Sequence, residues 1–202
     1  MKRAADRLWT PQMYGRIARL YDRLSRWLFP LAEQARGHVV ADLKAGRILD
    51  VGCGTGTLLG MAATQGLTCD GLDTSPSMLS IASAKVPGGT FTLASYYAMP
   101  YPDGSFDYVV ETNALGGVGI DINRALREMV RVCKPGGEIR LVDYAPPPHP
   151  TWKSRLTVRL SVLLGDEPRD FSAVIRSLGF EPEVSVLGWF GLYQFIRVKK
   201  AG

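Results

Sequence analysis

The chain is 202 residues long, with 46% hydrophobic and 21% charged residues, a composition that fits one globular domain with a sizeable core. Three widely separated cysteines, Cys53, Cys69 and Cys133, and two histidines, His38 and His149, argue against a disulfide framework, a C-x-x-C zinc site or a multi-histidine metal centre, and point to a reducing cytoplasm. The net charge of +5 is uneven: residues 1–47 hold ten Lys/Arg against four Asp/Glu, which leaves the other 155 residues at minus one.

Residues 1–11 read as a weakly ordered basic tail with Trp9 as its one large apolar group. From Met13 to Leu31 a helical period places Met13, Ile17, Leu20, Leu24 and Leu28 on one face and Arg16, Arg19, Arg23 and Arg26 on the other. Pro30 kinks or splits this helix. Its cationic side is either a solvated face on a packed helix or a surface that meets an anionic membrane, with Trp27 and Phe29 nearby. The basic start lacks the continuous apolar core of a signal peptide, and no apolar run nears the roughly 18 residues of a spanning helix. A second helix, about Leu31 to Leu43, leads into the first strand.

Arg47-Ile48-Leu49-Asp50-Val51-Gly52-Cys53-Gly54-Thr55-Gly56-Thr57 reads as a buried strand, a tight turn and a helix start. Alternating glycines let the backbone bend sharply and let a ligand approach, beside the free donors of a helix N-terminus. Dinucleotide loops space their glycines G-x-G-x-x-G. Here the spacing is G-x-G-x-G, with Thr57 where the third dinucleotide glycine would fall. After a helix to about Gln65, Leu67 to Asp73 is a second strand that ends in an acid, 21 residues past Gly52. In a parallel sheet that end lies over the glycine turn, where a carboxylate accepts from both hydroxyls of a ribose. The plain alternative for Asp73 is a helix cap. For Asp50 it is a bond to the loop's own amides; its functional role would be to hold a positively charged ligand end.

Thr74 or Ser75 caps a helix whose apolar side is Met78, Leu79 and Ile81. Phe91 to Ala94 and Phe106 to Thr112 are strands three and four. Asp121 caps a helix through Cys133, Lys134-Pro135-Gly136-Gly137 stops it, and Ile139 to Tyr144 is strand five. Pro146-Pro147-Pro148 opens a linker, residues 152–164 form an inserted helix and Phe171 to Leu178 another. Val184 to Leu187 and Gln194 to Val198 close the chain as two neighbouring strands. This alternation predicts an α/β fold with a parallel sheet covered on both faces.

Leu49–Gly56, Gly71–Met78, Met99–Asp107 and Ala125–Gly137 occur in the order and spacing of the class I S-adenosylmethionine (SAM)-dependent methyltransferases. Together they resemble the ubiquinone/menaquinone C-methyltransferase group, and Tyr14 to Asp22 is similar to that group's N-terminal motif. The resemblance implies a Rossmann-like class I fold: a mostly parallel seven-stranded sheet with a C-terminal antiparallel hairpin and helices on both faces. It implies a lid or arm at 1–46, a SAM-binding domain at 47–202 with an insert at about 146–166, SAM as cofactor with S-adenosylhomocysteine as product, and no metal. Thr55 and Thr112 would contact the methionine moiety beside Asp50, Gly52, Cys53, Gly54 and Gly56. Asp73 and Thr74 would lie at the ribose, Met78 would pack on the adenine, and Tyr21 would close over the cofactor. The family commonly bonds the adenine amino group through an Asp or Asn followed by Ala, where this chain has Ser95-Tyr96. Gly116-Gly117 stands where relatives carry bulkier polar residues, which leads one to expect open space at the substrate mouth.

Displacement at a sulfonium needs alignment and desolvation, with a base only where the acceptor must lose a proton. Tyr21, Asn113 and His149 are weak candidates for that task. Trp152, Leu156, Leu160, Leu163 and Leu164 give the insert an apolar surface that suits a lid over a lipophilic acceptor, quinone-precursor-like or phospholipid-like, and Arg155 and Arg159 would suit an anionic headgroup. They are equally compatible with a lid over a water-soluble metabolite. The expected partners are thus a small-molecule or lipid acceptor and a peripheral membrane surface met by the basic N-terminal helix, with no nucleic acid. A non-catalytic SAM-binding module and a nicotinamide-dependent oxidoreductase are the competing classes; glycine spacing opposes the second.

Overall fold

The computed structural model describes residues 30–117, 119–164, 167–188 and 193–202; residues 1–29, with Tyr21 and most of the expected basic helix, lie outside them. In chain order the elements are α1 (Pro30–Val40), β1 (Arg47–Val51), α2 (Thr57–Thr64), β2 (Thr68–Asp73), α3 (Pro76–Lys85), β3 (Thr90–Leu93) and β4 (Phe106–Thr112). There follow α4 (Ile122–Val132), β5 (Cys133–Tyr144), α5 (Trp152–Leu164), α6 (Phe171–Ser177), β6 (Glu183–Gly188) and β7 (Tyr193–Lys199).

The seven strands form one sheet in the order β3-β2-β1-β4-β5-β7-β6. β1 pairs in parallel with both β2 and β4, β3 with β2, and β5 with β4. β7 runs antiparallel to both of its neighbours, the arrangement expected of a hairpin-closed class I methyltransferase sheet. Strand alternation divides the core. Leu49, Val51, Val109 and Leu141 face one cluster, which takes Ala125, Leu126 and Met129 of α4 and Phe171 and Ile175 of α6. Ile48, Val110 and Val142 face the other, with Val39 of α1 and Leu58, Leu59 and Ala62 of α2.

Helix α4 shows why the sequence pattern was legible. Ile122, Ala125, Leu126, Met129 and Val132 are buried along one face, and the Asp121 carboxylate accepts from Arg124 N at 3.1 Å as its cap. Its half-buried charged residues have a structural task too. Glu128 accepts from Met99 N, and Arg131 donates to Met99 O and Tyr101 O, which fastens the Pro-Tyr-Pro turn to the helix. Beyond Val132 the chain departs from the expected loop. β5 begins at Cys133 rather than Ile139, with a register shift between Phe106 and Tyr108 of its partner strand. Gly137 makes this irregularity possible, since a Cβ there would lie 2.9 Å from Asp107 O and from Lys134 O.

α1 is part of the core. The fully buried Arg140 of β5 donates to Val39 O and to Asp42 Oδ1, both at 2.6 Å, and to Glu138 Oε1, so the end of α1 is tied to the middle of the sheet.

Candidate functional site

The sheet order reverses between β2-β1 and β4-β5, so the loops after β1 and β4 leave in opposite directions and open a crevice at the carboxyl ends of the strands. A cavity of about 260 Å3 lies there. Gly52 N and Cys53 N both donate to Leu72 O, at 2.7 and 3.0 Å, which folds the glycine turn back onto β2. Gly52 has φ +76°, and a Cβ on it would stand 2.4 Å from Ala114 Cβ; on Gly56, at φ +72°, it would stand 2.9 Å from Ala82 Cβ. Only glycine meets both demands. Gly56 precedes α2 with no side-chain cap, so the first turn of α2 directs its amides at the cavity.

Asp73 Oδ2 accepts from Gly54 N and Oδ1 accepts from Ser75 N, each at 2.9 Å. One carboxylate thus spans the glycine turn and the start of α3, and keeps further lone pairs for a ligand. The cap of α3 is Ser75, whose hydroxyl accepts from Met78 N at 3.4 Å; Asp73 is not that cap.

Asp50 differs. It is 2% exposed, and its Oδ1 has no hydrogen-bond partner. Burial pushes its carboxyl up to about 7, against the pull of Arg36 and with a further push from Asp73. A buried acid with an unpartnered oxygen at a cavity wall is costly unless something cationic completes it.

The cavity brings together Asp50, Gly52, Cys53, Gly54, Thr55, Asp73, Thr74, Met78, Tyr96, Thr112 and Asn113. Gly56 shapes the turn from behind. Ser95 does not reach the cavity: its Oγ accepts from Tyr97 N at 3.2 Å, and its neighbour Ala94 lines the wall instead. Lys85 Nζ reaches Thr57 Oγ1 at 2.9 Å and Thr55 Oγ1 at 3.3 Å, which braces the loop from the far end of α3. The Cys53 thiol is pushed up by burial and by Asp50 and Asp73, so it is not an activated nucleophile.

Of the weak base candidates, Tyr21 lies outside the described residues, and neither Asn113 nor His149 is built as a base. Asn113, the one described non-glycine residue with positive φ, at 58°, donates from Nδ2 to Tyr193 Oη at 2.7 Å. Burial raises the Tyr96 phenol, and His149 is exposed on its loop away from the cavity. Among the described residues no group of three or more His, Cys, Asp or Glu could hold a metal ion.

Sequence reading missed one charged lining group, Arg36, and two buried acids beside the cavity wall, Glu111 and Asp143. Arg36 of α1 enters the cavity, yet in the sequence it is one arginine among many. Glu111 is fully buried on β4; its Oε1 accepts from Ala114 N and Leu115 N, its Oε2 is unpartnered, and burial with nearby Asp143 raises its carboxyl. Asp143 Oδ2 also accepts from Leu115 N. A charge at the end of an apolar strand was the available signal. These two acids also correct the reading of Gly116: a Cβ there would lie 2.7 Å from Asp143 Oδ1, so that space belongs to Asp143 and not to a substrate.

Comparison with known proteins adds to this geometry. A family model described as a methyltransferase domain matches residues 49–141. The chain is 38% identical to the demethylmenaquinone methyltransferase of Thermus thermophilus over 147 residues, 67% of this chain and 66% of that one. It is 33% identical over 161 residues to the ubiquinone/menaquinone biosynthesis C-methyltransferase of Geobacter sulfurreducens, 73% of this chain and 60% of that one. The chain spans from about half to two thirds of the length of these first relatives. Two solved structures share the fold. They are geranyl diphosphate methyltransferase in complex with GPP and sinefungin (TM-score 0.69, 14% identity, 85% of this chain and 77% of that one) and Burkholderia thailandensis 1,6-didemethyltoxoflavin-N1-methyltransferase with S-adenosylhomocysteine (TM-score 0.66, 16%, 96% and 92%).

Proposed function

We propose that this chain, which belongs by its fold and its methyltransferase domain to the class I SAM-dependent methyltransferases, transfers the methyl group of SAM to a small lipophilic acceptor of the quinone-precursor kind. The observation that carries the reading is the pair of acids on the glycine turn. Asp50 is buried with an unpartnered oxygen, and Asp73 is held by two amides with lone pairs to spare.

The residues present fit SAM. Asp50 would accept from the ammonium of its methionine end, beside Gly52, Gly54, Thr55 and Thr112. Asp73 would accept from the ribose hydroxyls, and Met78 with Ala94 and Tyr96 would form the apolar wall for the adenine. When bound, SAM supplies a methyl group on a positively charged sulfur with a neutral thioether as leaving group. The chain's own contribution is alignment and exclusion of water. Asn113, fixed by Tyr193, and the Asn113–Gly117 segment, fixed by Glu111 and Asp143, set the wall beyond Thr112. Ile120 and Ala114 keep that side apolar, which favours a ring or a prenyl chain over a charged metabolite. The names of the relatives, demethylmenaquinone and ubiquinone/menaquinone C-methyltransferases, support the same acceptor class.

Turnover of methyl-labelled SAM against a panel tests this. The panel holds a short-chain demethylmenaquinol, a phosphatidylethanolamine and water-soluble amines. Label in the prenylated quinol is expected. Label only in the soluble amines contradicts the lipophilic acceptor, and intact SAM binding with no transfer to any member favours a non-catalytic SAM-binding module.

A further inference from the structure

Helix α5 carries its apolar side outward. Trp152 is 71% exposed, Leu156 48%, Leu160 51% and Leu163 72%. At 3.6 residues per turn these four fall in one sector of the helix. Ser154, fully buried on the opposite side, donates to Thr151 O at 2.9 Å. None of the four lines the cavity, so these side chains face away from it. Arg155 and Arg159 border the stripe on one edge and Lys153 on the other, and the helix contains no acid.

Charge decides what such a face meets. Residues 1–29 hold seven Lys/Arg against two Asp/Glu, so that segment would set like charge against like. A second copy packed through a twofold axis would oppose the same three cations to themselves. A bilayer with anionic headgroups satisfies both components: the apolar side chains enter the acyl boundary while Arg155, Arg159 and Lys153 extend to the phosphates. We infer that α5 is a membrane-surface docking helix for an anionic bilayer.

Its place in the fold gives the docking a consequence. The segment after α5 is fastened to the cavity rim, since Glu167 N donates to Gly116 O at 2.7 Å and Arg169 Nη2 donates to Gly117 O at 3.3 Å. Gly117 lines the cavity. A docked α5 therefore holds the acceptor side of the cavity close to the membrane plane. That use of the docking rests on the lipophilic-acceptor reading; the docking itself does not.

Co-sedimentation of the full chain tests it, with vesicles of phosphatidylcholine and phosphatidylglycerol in equal parts and with phosphatidylcholine alone. The chain is expected to pellet with the anionic vesicles. Arg155→Gln/Arg159→Gln should weaken this about fivefold for each arginine removed, and Leu156→Glu/Leu163→Glu should weaken it about tenfold or more. Calorimetric SAM affinity should be unchanged in both variants, which shows that the fold is kept. Undiminished pelleting of Leu156→Glu/Leu163→Glu overturns the inference, as does a stable dimer that this variant dissolves. Pelleting is read without turnover, so it separates the two readings. Docking without transfer to any quinol leaves this inference standing and removes the acceptor reading; transfer with wild-type-like pelleting of Leu156→Glu/Leu163→Glu does the reverse.

Discussion

Asp50 and Asp73 lie at the carboxyl ends of adjacent parallel strands, yet their surroundings assign them opposite chemistry. Two backbone amides hold Asp73 and make it a fixed acceptor. Asp73→Ala should weaken SAM binding by on the order of 1.5–3 kcal/mol, roughly 10- to 150-fold; calorimetry that finds unchanged affinity removes Asp73 from the site. Asp50 has no such partners on Oδ1, and burial raises its carboxyl from 3.8 to about 7. Pairing with an ammonium requires the ionised form, so below that value binding must first release a proton. Apparent SAM affinity should fall about tenfold per pH unit below about 7, level off above it, and decline again as the ligand's own amine loses its proton near about 8. Asp50→Asn should bind weakly and without the acid limb. The same shift gives the folded state more protons than the unfolded one between 3.8 and about 7, so the contribution of Asp50 to stability is present at acid pH and lost as the pH rises through that window. A flat affinity profile from pH 5 to 8 would exclude the ammonium role.

Among the elements, α1 depends most on a single side chain. Arg140 reaches Val39 O, Asp42 and Glu138 from a buried position in β5, and this contact draws the Asp42 carboxyl below its usual range. Arg140→Ala removes one member of a buried charged cluster and should cost about 3 kcal/mol. A domain of this size then melts roughly 6–12 °C lower; a loss under about 0.5 kcal/mol would show that α1 is held by its apolar face alone. The task of Arg140 could not be read from the sequence, because its partners Val39 and Asp42 lie about a hundred residues away. Elements whose signal is local were legible. The caps Asp121 and Ser75, the glycine turn, and the buried stripe of α4 all stand where spacing puts them. β5 was not fully legible, since Lys134-Pro135-Gly136-Gly137 reads as a stop and only pairing across Asp107 makes it part of a strand. Gly116 was misjudged because a sequence position does not say which neighbouring side chain fills the space beside it. The same limit hid Arg36, Glu111 and Asp143.

At the scale of the whole molecule, topology and charge are separable. The order β3-β2-β1-β4-β5-β7-β6 places the cavity at the switch between β1 and β4, as alternation of strands and helices along the chain required. The charge of the chain lies elsewhere: residues 48–202 sum to minus one, and the cations of α5 are a local exception on one exposed face. Catalytic body and contact surface are therefore different parts of one fold, joined at Gly116 and Gly117. Among the described residues no helix is long and apolar enough to cross a membrane, so any bilayer contact by these helices is peripheral.

The proposed methyl transfer depends on the identity of the ligand in the glycine-turn cavity. Calorimetric titration with SAM, S-adenosylhomocysteine and NAD in parallel measures it directly. The geometry of Asp50, Gly52, Gly54 and Asp73 predicts binding of both adenosyl ligands and no heat from NAD. Binding of NAD, or no binding of any of the three, would contradict the assignment of the cavity and with it the proposed methyl transfer.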